Sequence, residues 1–399
     1  MRLAFQVVVL FLHLSGGLAL PSRHGNVKRT ETTQPFGTSF GVPRNNSFDY
    51  VIVGGGNADL TLAARLAKKH TVAVIEAGSF YEIGNGNRSN IPAYDIEYTG
   101  KDPRDTNPLI YWGFSTTPQT ELLNVSAHYT RGKTLGGCSA RNYMAYHRGT
   151  RLAYQKWADD IDDQSYSFKD MLPFFEKSIH YTPPDGQKRA QNATPEVDLS
   201  NLTSNNSDSP LSVTFANYAQ PASSWVQRAF QQISVHPITG FTSGNLIGSS
   251  YTLATINAST QTRDSSETSF LRSSLNNGNL TIYTSSLATK IIFDEHKVAV
   301  GVNVDTEGLN YTLSDVPKDR FNYATVSIAV VAPQSSGTIS ITSKDMKDPR
   351  LVNPRWLTDL ADREVLLAGI KRVRELFATS SMQPVLIGTE AFPGPDEDR

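Results

Sequence analysis

From Phe48 onward, apolar and polar positions alternate in a strand, turn, helix, strand order. Asp49-Tyr50-Val51-Ile52-Val53 is a short, nearly all-apolar run, the pattern of a strand buried on both faces. Gly54, Gly55 and Gly56 follow, and then Leu60, Ala63, Ala64 and Ala67 recur at helical spacing. Thr71 to Glu76 predicts a second strand, so the opening of the chain reads as the βαβ start of an α/β fold.

Further along, glycine, asparagine and aspartate predict loops over 78–110, a second glycine-rich stretch covers 131–149, and residues 185–210 read as a polar loop. Leu280, Ile282 and Tyr283 mark another strand. The runs 290–293 and 298–304 form a hairpin turned at Asp294-Glu295-His296, and a strand pair is expected within 324–342. A helix follows Thr358, with Leu366, Ile370, Val373 and Phe377 on one face and Asp359 and Asp362 at its dipole-positive start.

The first twenty residues have a different pattern. Arg2 precedes an apolar run from Leu3 to Leu14, and Gly17-Leu18-Ala19 offers small residues for cleavage, so residues 1–19 read as a signal peptide. That run is too short to span a bilayer, which takes about 20 residues. Residues 20–47, with Pro21, Pro35 and Pro43, read as an extended lead-in. Asn-x-Ser/Thr sequons at Asn45, Asn87, Asn124, Asn192, Asn201, Asn205, Asn257, Asn279 and Asn310 agree with entry into the secretory pathway and secretion. Those in strand-like stretches, Asn279 and Asn310, are the candidates for burial without modification.

Charge and cysteine content narrow the partners. A formal net charge of −1 gives no basis for binding nucleic acid or an anionic membrane, and Cys138, the single cysteine, excludes an intrachain disulfide. No Cys/His spacing suits a metal. The Asp159, Asp160, Asp162 and Asp163 cluster reads as a solvated loop.

The first glycine turn carries a chemical expectation. A pyrophosphate needs close backbone approach and free N–H donors at a helix N-terminus. Gly54 can make the turn, Gly56 lets the backbone approach, and Glu76 ends the second strand where a carboxylate can accept from ribose hydroxyls. Asp59 stands where the third glycine of such a turn is usual. Its side chain is expected to push the helix outward and to repel the phosphates, weakening dinucleotide binding without abolishing it.

Residues 131–149, RGKTLGGCSARNYMAYHRG, resemble the first signature of the glucose–methanol–choline (GMC) oxidoreductases, through Gly132, Leu135, Gly136, Gly137, Ser139, Asn142 and Met144. FDYVIVGGGNADLTLAARL and Glu76-Ala77-Gly78 carry the same resemblance. WGFSTTPQ at 112–119, YAQPASSWVQ at 218–227, TRDSSETSFL at 262–271 and the stretch 353–377 resemble fungal members of secondary metabolism. The resemblance covers the chain from about residue 37 to its end.

It implies a discontinuous Rossmann-like FAD-binding domain over 48–150 and 250–314. A smaller α+β substrate domain on an antiparallel sheet would combine 151–249 with 315–399. The implied activity is oxidation of a small alcohol, a fungal metabolite, by hydride transfer to flavin N5. The implied FAD contacts are Gly54, Gly56, Asn57 and Ala58 at the pyrophosphate and Glu76 and Ala77 at the ribose. Cys138, Asn142, Tyr143, Met144 and Ala145 would lie along the flavin, with Ala288 against the adenine and Trp112 as a flavin neighbour or a core residue. Cys138 is read as a small packing residue, the alternative being a reactive thiol.

The pattern breaks in two places. The strand and second signature expected after Thr312-Leu313-Ser314 are missing, as if a segment near Ser314/Asp315 were lost. The region bearing the family's catalytic histidine is also missing, and no histidine follows His296. In the family that histidine accepts the alcohol proton, help worth roughly 10²–10⁴-fold. His147 is read as an ordinary histidine and no catalytic residue is assigned. The expectation is a flavoprotein scaffold of low or lost activity. The alternatives are a non-redox cyclase or lyase on the same fold, or a non-catalytic remnant.

Overall fold

The computed structural model describes residues 40, 46–193, 197–202, 209–293, 295–296, 299–306, 334–346 and 348–386. The predicted signal peptide, most of the lead-in, Asn45, Asn205, Asn310, the Ser314/Asp315 junction and the 324–333 part of the expected strand pair lie outside the described residues. All described residues belong to one compact unit, Phe36–Arg399.

The βαβ opening forms as the hydrophobic pattern predicts. Strand β1 (Tyr50–Val53) leads through the glycine turn to helix α1 (Asn57–Leu66), and β2 (Val72–Ile75) pairs parallel to β1, Ile52 opposite Val74. Strand β3 (Leu280–Tyr283) joins β2 in parallel on its other side, giving the order β1-β2-β3. Leu60 and Ala63 of α1 and Ala67, which caps its C-terminus, pack with Ile52, Val72, Val74, Leu135, Leu280 and Ile282 in one buried cluster. Burying a residue such as Leu60 stabilises by about 1.5–3 kcal/mol. The small alanine side chains let helix and sheet approach closely.

β1 differs from its expected setting. A strand buried on both faces should hide every residue, yet of its four residues only Ile52 is buried, and Tyr50, Val51 and Val53 are 43%, 42% and 50% exposed. The reason is position: among the described residues β1 is the edge of the sheet, paired on one side only.

The hairpin forms between β4 (Leu287–Phe293) and β5 (Ala299–Asp305), antiparallel, with Ile291, Ile292 and Phe293 exposed. Within the expected 324–342 pair, β6 (Thr338–Ser340) is described, and its partner is β7 (Leu351–Asn353). Helix α2 (Pro221–Gln232) and the long helix α3 (Leu360–Ala378) share a cluster containing Ala229, Ile233, Leu376, Trp225 and Phe377. Asp359 caps α3 by accepting from Ala361 N–H at 2.9 Å. Asp362 lies in the first turn, as predicted, and has a second role. Its buried carboxylate accepts from the N–H groups of Gln334 and Ser335, tying that segment to the helix. No helix among the described residues is long and apolar enough to cross a membrane.

Candidate FAD-binding site

The two glycine stretches of the sequence meet in space. Gly54 takes a left-handed backbone (φ +114°), which glycine adopts without strain, and donates to Ile75 O at 2.9 Å, folding the turn over the end of the sheet. Gly136 N–H donates to Gly55 O at 2.8 Å, and Leu135 N–H to Ser79 O at 3.0 Å. A Cβ on Gly137 would sit 2.7 Å from Gly56 Cα, so the loops touch backbone to backbone at a place only glycine permits.

Carboxylates then fill the donors of the first loop. Glu76 is buried and bridges the turn: its Oε2 accepts from Gly55 N–H and its Oε1 from Gly78 N–H, each at 2.7 Å. Burial raises its pKa, against the pull of those two backbone donors. Asp59 Oδ2 accepts from Gly56 N–H at 2.8 Å and lies 2.8 Å from where a Cβ of Gly54 would stand. The expected outward push on α1 is not found, because the Asp59 carboxylate turns back over the helix N-terminus while Leu60 and Ala63 stay buried on the sheet. Asp59 is the third helical residue, where an acidic side chain closes a capping box.

The other sequence-predicted residues fall into three groups. Asn57, on the exposed first turn of α1, joins the second loop through its Oδ1, which accepts from Ser266 Oγ at 3.2 Å, and Ser266 N–H donates to Ser139 Oγ at 3.0 Å. Ala58 is exposed beside it, and Ala77 is half-buried between Glu76 and Gly78. Cys138 is exposed on the short 3-10 turn Gly137–Ala140, and Asn142 N–H bonds back to its carbonyl at 2.8 Å. Met144 is buried with φ +57°, and Ala145 is exposed in a two-residue strand paired with Ala254. Tyr143 is exposed and donates to Thr99 Oγ1 at 3.1 Å. Ala288 packs beside Ala73, Ile75 and Tyr283 near the end of the sheet. Trp112 stacks on Phe114, its ring centroid 5.8 Å away.

Arg263 was not singled out from sequence, yet it organises the second loop. Its buried guanidinium donates from Nη1 to Ser139 O (3.1 Å), Asn142 O (2.8 Å) and Asn142 Oδ1 (3.1 Å), and from Nε to Ser89 O (2.9 Å). Burial and the neighbouring Arg141 push its pKa down to about 10. The available signal was a long cation inside the otherwise small, polar stretch TRDSSETSFL. Nearby, buried Glu267 has its pKa pushed up to about 7 by burial and by Glu82, although Arg272 donates to it at 2.9 Å. Of the histidines, His147 is exposed, while His128 is buried with neither ring nitrogen bonded, and burial lowers its pKa.

A strand, a glycine turn with a positive φ, a helix N-terminus and a strand-ending buried acid together define a dinucleotide-binding α/β protein. The chain belongs to the GMC oxidoreductase family: the family's N-terminal region matches residues 48–332 and its C-terminal region residues 333–399. It is 36% identical to patulin synthase of Aspergillus clavatus over 531 residues, covering 96% of this chain and 84% of that one. It is 31% identical to versicolorin B synthase of Aspergillus parasiticus over 494 residues, covering 89% of this chain and 76% of that one. The first of these alignments is longer than the 399-residue chain itself, so stretches of the relative inside it face no residue here. Among solved structures, an FAD-dependent oxidoreductase from Chaetomium thermophilum superposes with a TM-score of 0.57 at 28% identity. That match covers 65% of this chain, and the chain spans only 42% of that enzyme's length.

FAD is the cofactor of this family, and the loops fit it with two donors, the Gly55 and Gly56 N–H groups, held by Glu76 and Asp59. The first-turn N–H groups of Asn57 and Ala58 have no intrahelical acceptor and remain for a diphosphate. Glu76, though bonded twice, keeps a further lone pair on each oxygen for a ribose hydroxyl. The Gly56 N–H is taken by Asp59.

Proposed function

We propose that this chain holds FAD in the cleft between its two glycine loops and descends from, or forms part of, a fungal alcohol oxidoreductase of secondary metabolism. The observation that carries the reading is the backbone clamp: Gly136 N–H on Gly55 O, with Gly137 against Gly56. The clamp fixes both loops at the N-terminus of α1, where backbone amides can meet a diphosphate, and Arg263 holds the second loop in shape.

FAD, when bound, supplies the two-electron acceptor that no side chain provides. The chain's own residues supply the rest. Gly54 and Gly56 let the backbone approach the diphosphate, and the amides of Asn57 and Ala58 face it. Glu76 holds both turns around the ribose position. Patulin synthase and versicolorin B synthase, by their names, act on small metabolites, which supports a small hydroxylated metabolite as substrate here.

The signal-like segment 1–19 supports synthesis into the secretory pathway. Exposed sequon asparagines such as Asn87 and Asn124 support glycosylation there. The test of the cofactor reading is a flavin absorbance spectrum of the purified chain before and after incubation with FAD and gel filtration. Flavin retained in proportion to protein supports the proposal; protein that elutes colourless after saturating FAD rejects it.

A further inference from the structure

A second cleft lies beyond the flavin loops, built on a short antiparallel ladder. Trp112 N–H donates to Arg131 O at 3.1 Å and Tyr129 N–H to Phe114 O at 2.7 Å. β7 joins this ladder, Thr117 N–H donating to Val352 O at 2.8 Å, and brings Arg350 and, through β6, Ile339 to the same place. The resulting cavity of about 360 Å³ is lined chiefly by Trp112, Phe114, Tyr129, Arg131, Ile339 and Arg350.

Its lining is aromatic and cationic. The Trp112 and Phe114 rings are stacked, parallel within 9° with centres 5.8 Å apart, and both border the cleft. Arg350 lies 5.6 Å from the Phe114 ring centre, Arg131 4.4 Å from that of Tyr129, and Lys133 5.4 Å from that of Trp112. No carboxylate lines the cavity, and among the described residues none pairs with Arg131 or Arg350. Arg131 bonds only to the Thr130 carbonyl and the Tyr129 hydroxyl. Both guanidinium charges therefore rest on ring faces and neutral acceptors.

We infer that this cleft binds a planar aromatic carboxylate, with its ring against the stacked Trp112–Phe114 pair and its carboxylate on Arg131 and Arg350. Guanidinium groups pair with carboxylates in a planar, two-bond geometry, and an apolar wall with a few convergent polar groups is how small-molecule sites achieve orientation. The volume is at the low end for such sites, which suits a ligand of one or two rings. A neutral aromatic would leave the cations without a partner, and a simple anion such as acetate would leave the aromatic lining uncovered. Gly132 lines the cleft and leads into the second glycine loop, so the ligand would sit beside the flavin site without needing flavin to bind.

The test is isothermal titration calorimetry of the full 399-residue chain without added FAD, using 2-naphthoate, 2-naphthamide and acetate. The expected result is 2-naphthoate binding at least about tenfold tighter than either comparison compound, since one charge-assisted contact of about 1.4 kcal/mol is tenfold. Arg350→Gln should remove that preference for the acid over the amide, Arg350→Lys should restore part of it, and Trp112→Leu should weaken acid and amide alike. Arg131→Gln, at an exposed position, gives the same reading if Arg350→Gln does not fold. Equal binding of acid and amide, no binding of 2-naphthoate, or an unchanged preference in a folded Arg131→Gln or Arg350→Gln variant would overturn the inference.

Discussion

Replacing Asp59 by glycine is predicted to tighten FAD binding while loosening the fold. In the structure the Asp59 carboxylate accepts the Gly56 N–H at 2.8 Å and stands over Gly54, the part of the turn where a diphosphate would approach. A hydrogen bond to a charged acceptor contributes about 1.5–3 kcal/mol, and a diphosphate must compete for that donor. A negative charge about 5 Å from a phosphate adds repulsion of about 1 kcal/mol in a water-like medium and about 3 kcal/mol at an effective dielectric of 20. The two effects overlap, so a net gain of about 1.5–3 kcal/mol is reasonable, or about tenfold to a hundredfold in Kd.

The same substitution removes a helix cap and places glycine in the first turn of α1, each costing about 1 kcal/mol of stability. Affinity and stability should therefore move in opposite directions. Asp59→Asn keeps a neutral acceptor for Gly56 and removes only the charge, so its affinity should fall between parent and Asp59→Gly. FAD fluorescence quenching gives Kd and thermal unfolding without FAD gives the second axis. An Asp59→Gly chain that binds FAD no more tightly than the parent would refute the reasoning, whatever its melting temperature.

Three other outcomes follow from the same structure. Glu267 carries a pKa of about 7 in the fold against an ordinary carboxylate value near 4.5, so its contribution is fully present below about pH 4.5 and is lost as pH rises toward 7. Urea unfolding should show stability falling across that window, and Glu267→Gln should flatten the slope; an unchanged slope would contradict the assignment. Val51→Lys on the exposed edge of β1 should reduce light scattering during concentration of the protein, because a charged edge discourages strand-to-strand association. When the chain is made in a secretory host, enzymatic deglycosylation and peptide mapping should find glycans at exposed Asn87 and Asn124. Asn279 should be unmodified, since its Nδ2 donates to Ala67 O at 3.1 Å.

The βαβ opening was legible because its signals are local: an apolar run, a glycine triplet, an alanine-lined helix face and an acid at the end of the second strand. The meeting of the two glycine stretches was legible only through resemblance, since no spacing in the sequence brings Gly55 and Gly136 together. Asp59 shows how a correct residue can carry an incomplete argument. Read as a replaced glycine it predicted a displaced helix, whereas the third position of a helix also favours an acidic side chain that folds back onto the cap. The exposure of β1 depends on which strands flank it, a property of the assembled sheet that a four-residue apolar run does not encode. Arg263 was hidden for a related reason: four acceptors drawn from residues 89, 139 and 142 are scattered in sequence and converge only in the fold.

The central claim, that the clamped glycine loops form a working FAD site, is tested most directly by titrating the purified 399-residue chain into FAD and following flavin fluorescence. Saturable quenching with one FAD per chain is predicted, displaced by excess ADP, which shares the adenosine and diphosphate, and not by adenosine alone. Fluorescence that does not change on adding excess protein shown to be folded by circular dichroism would contradict it.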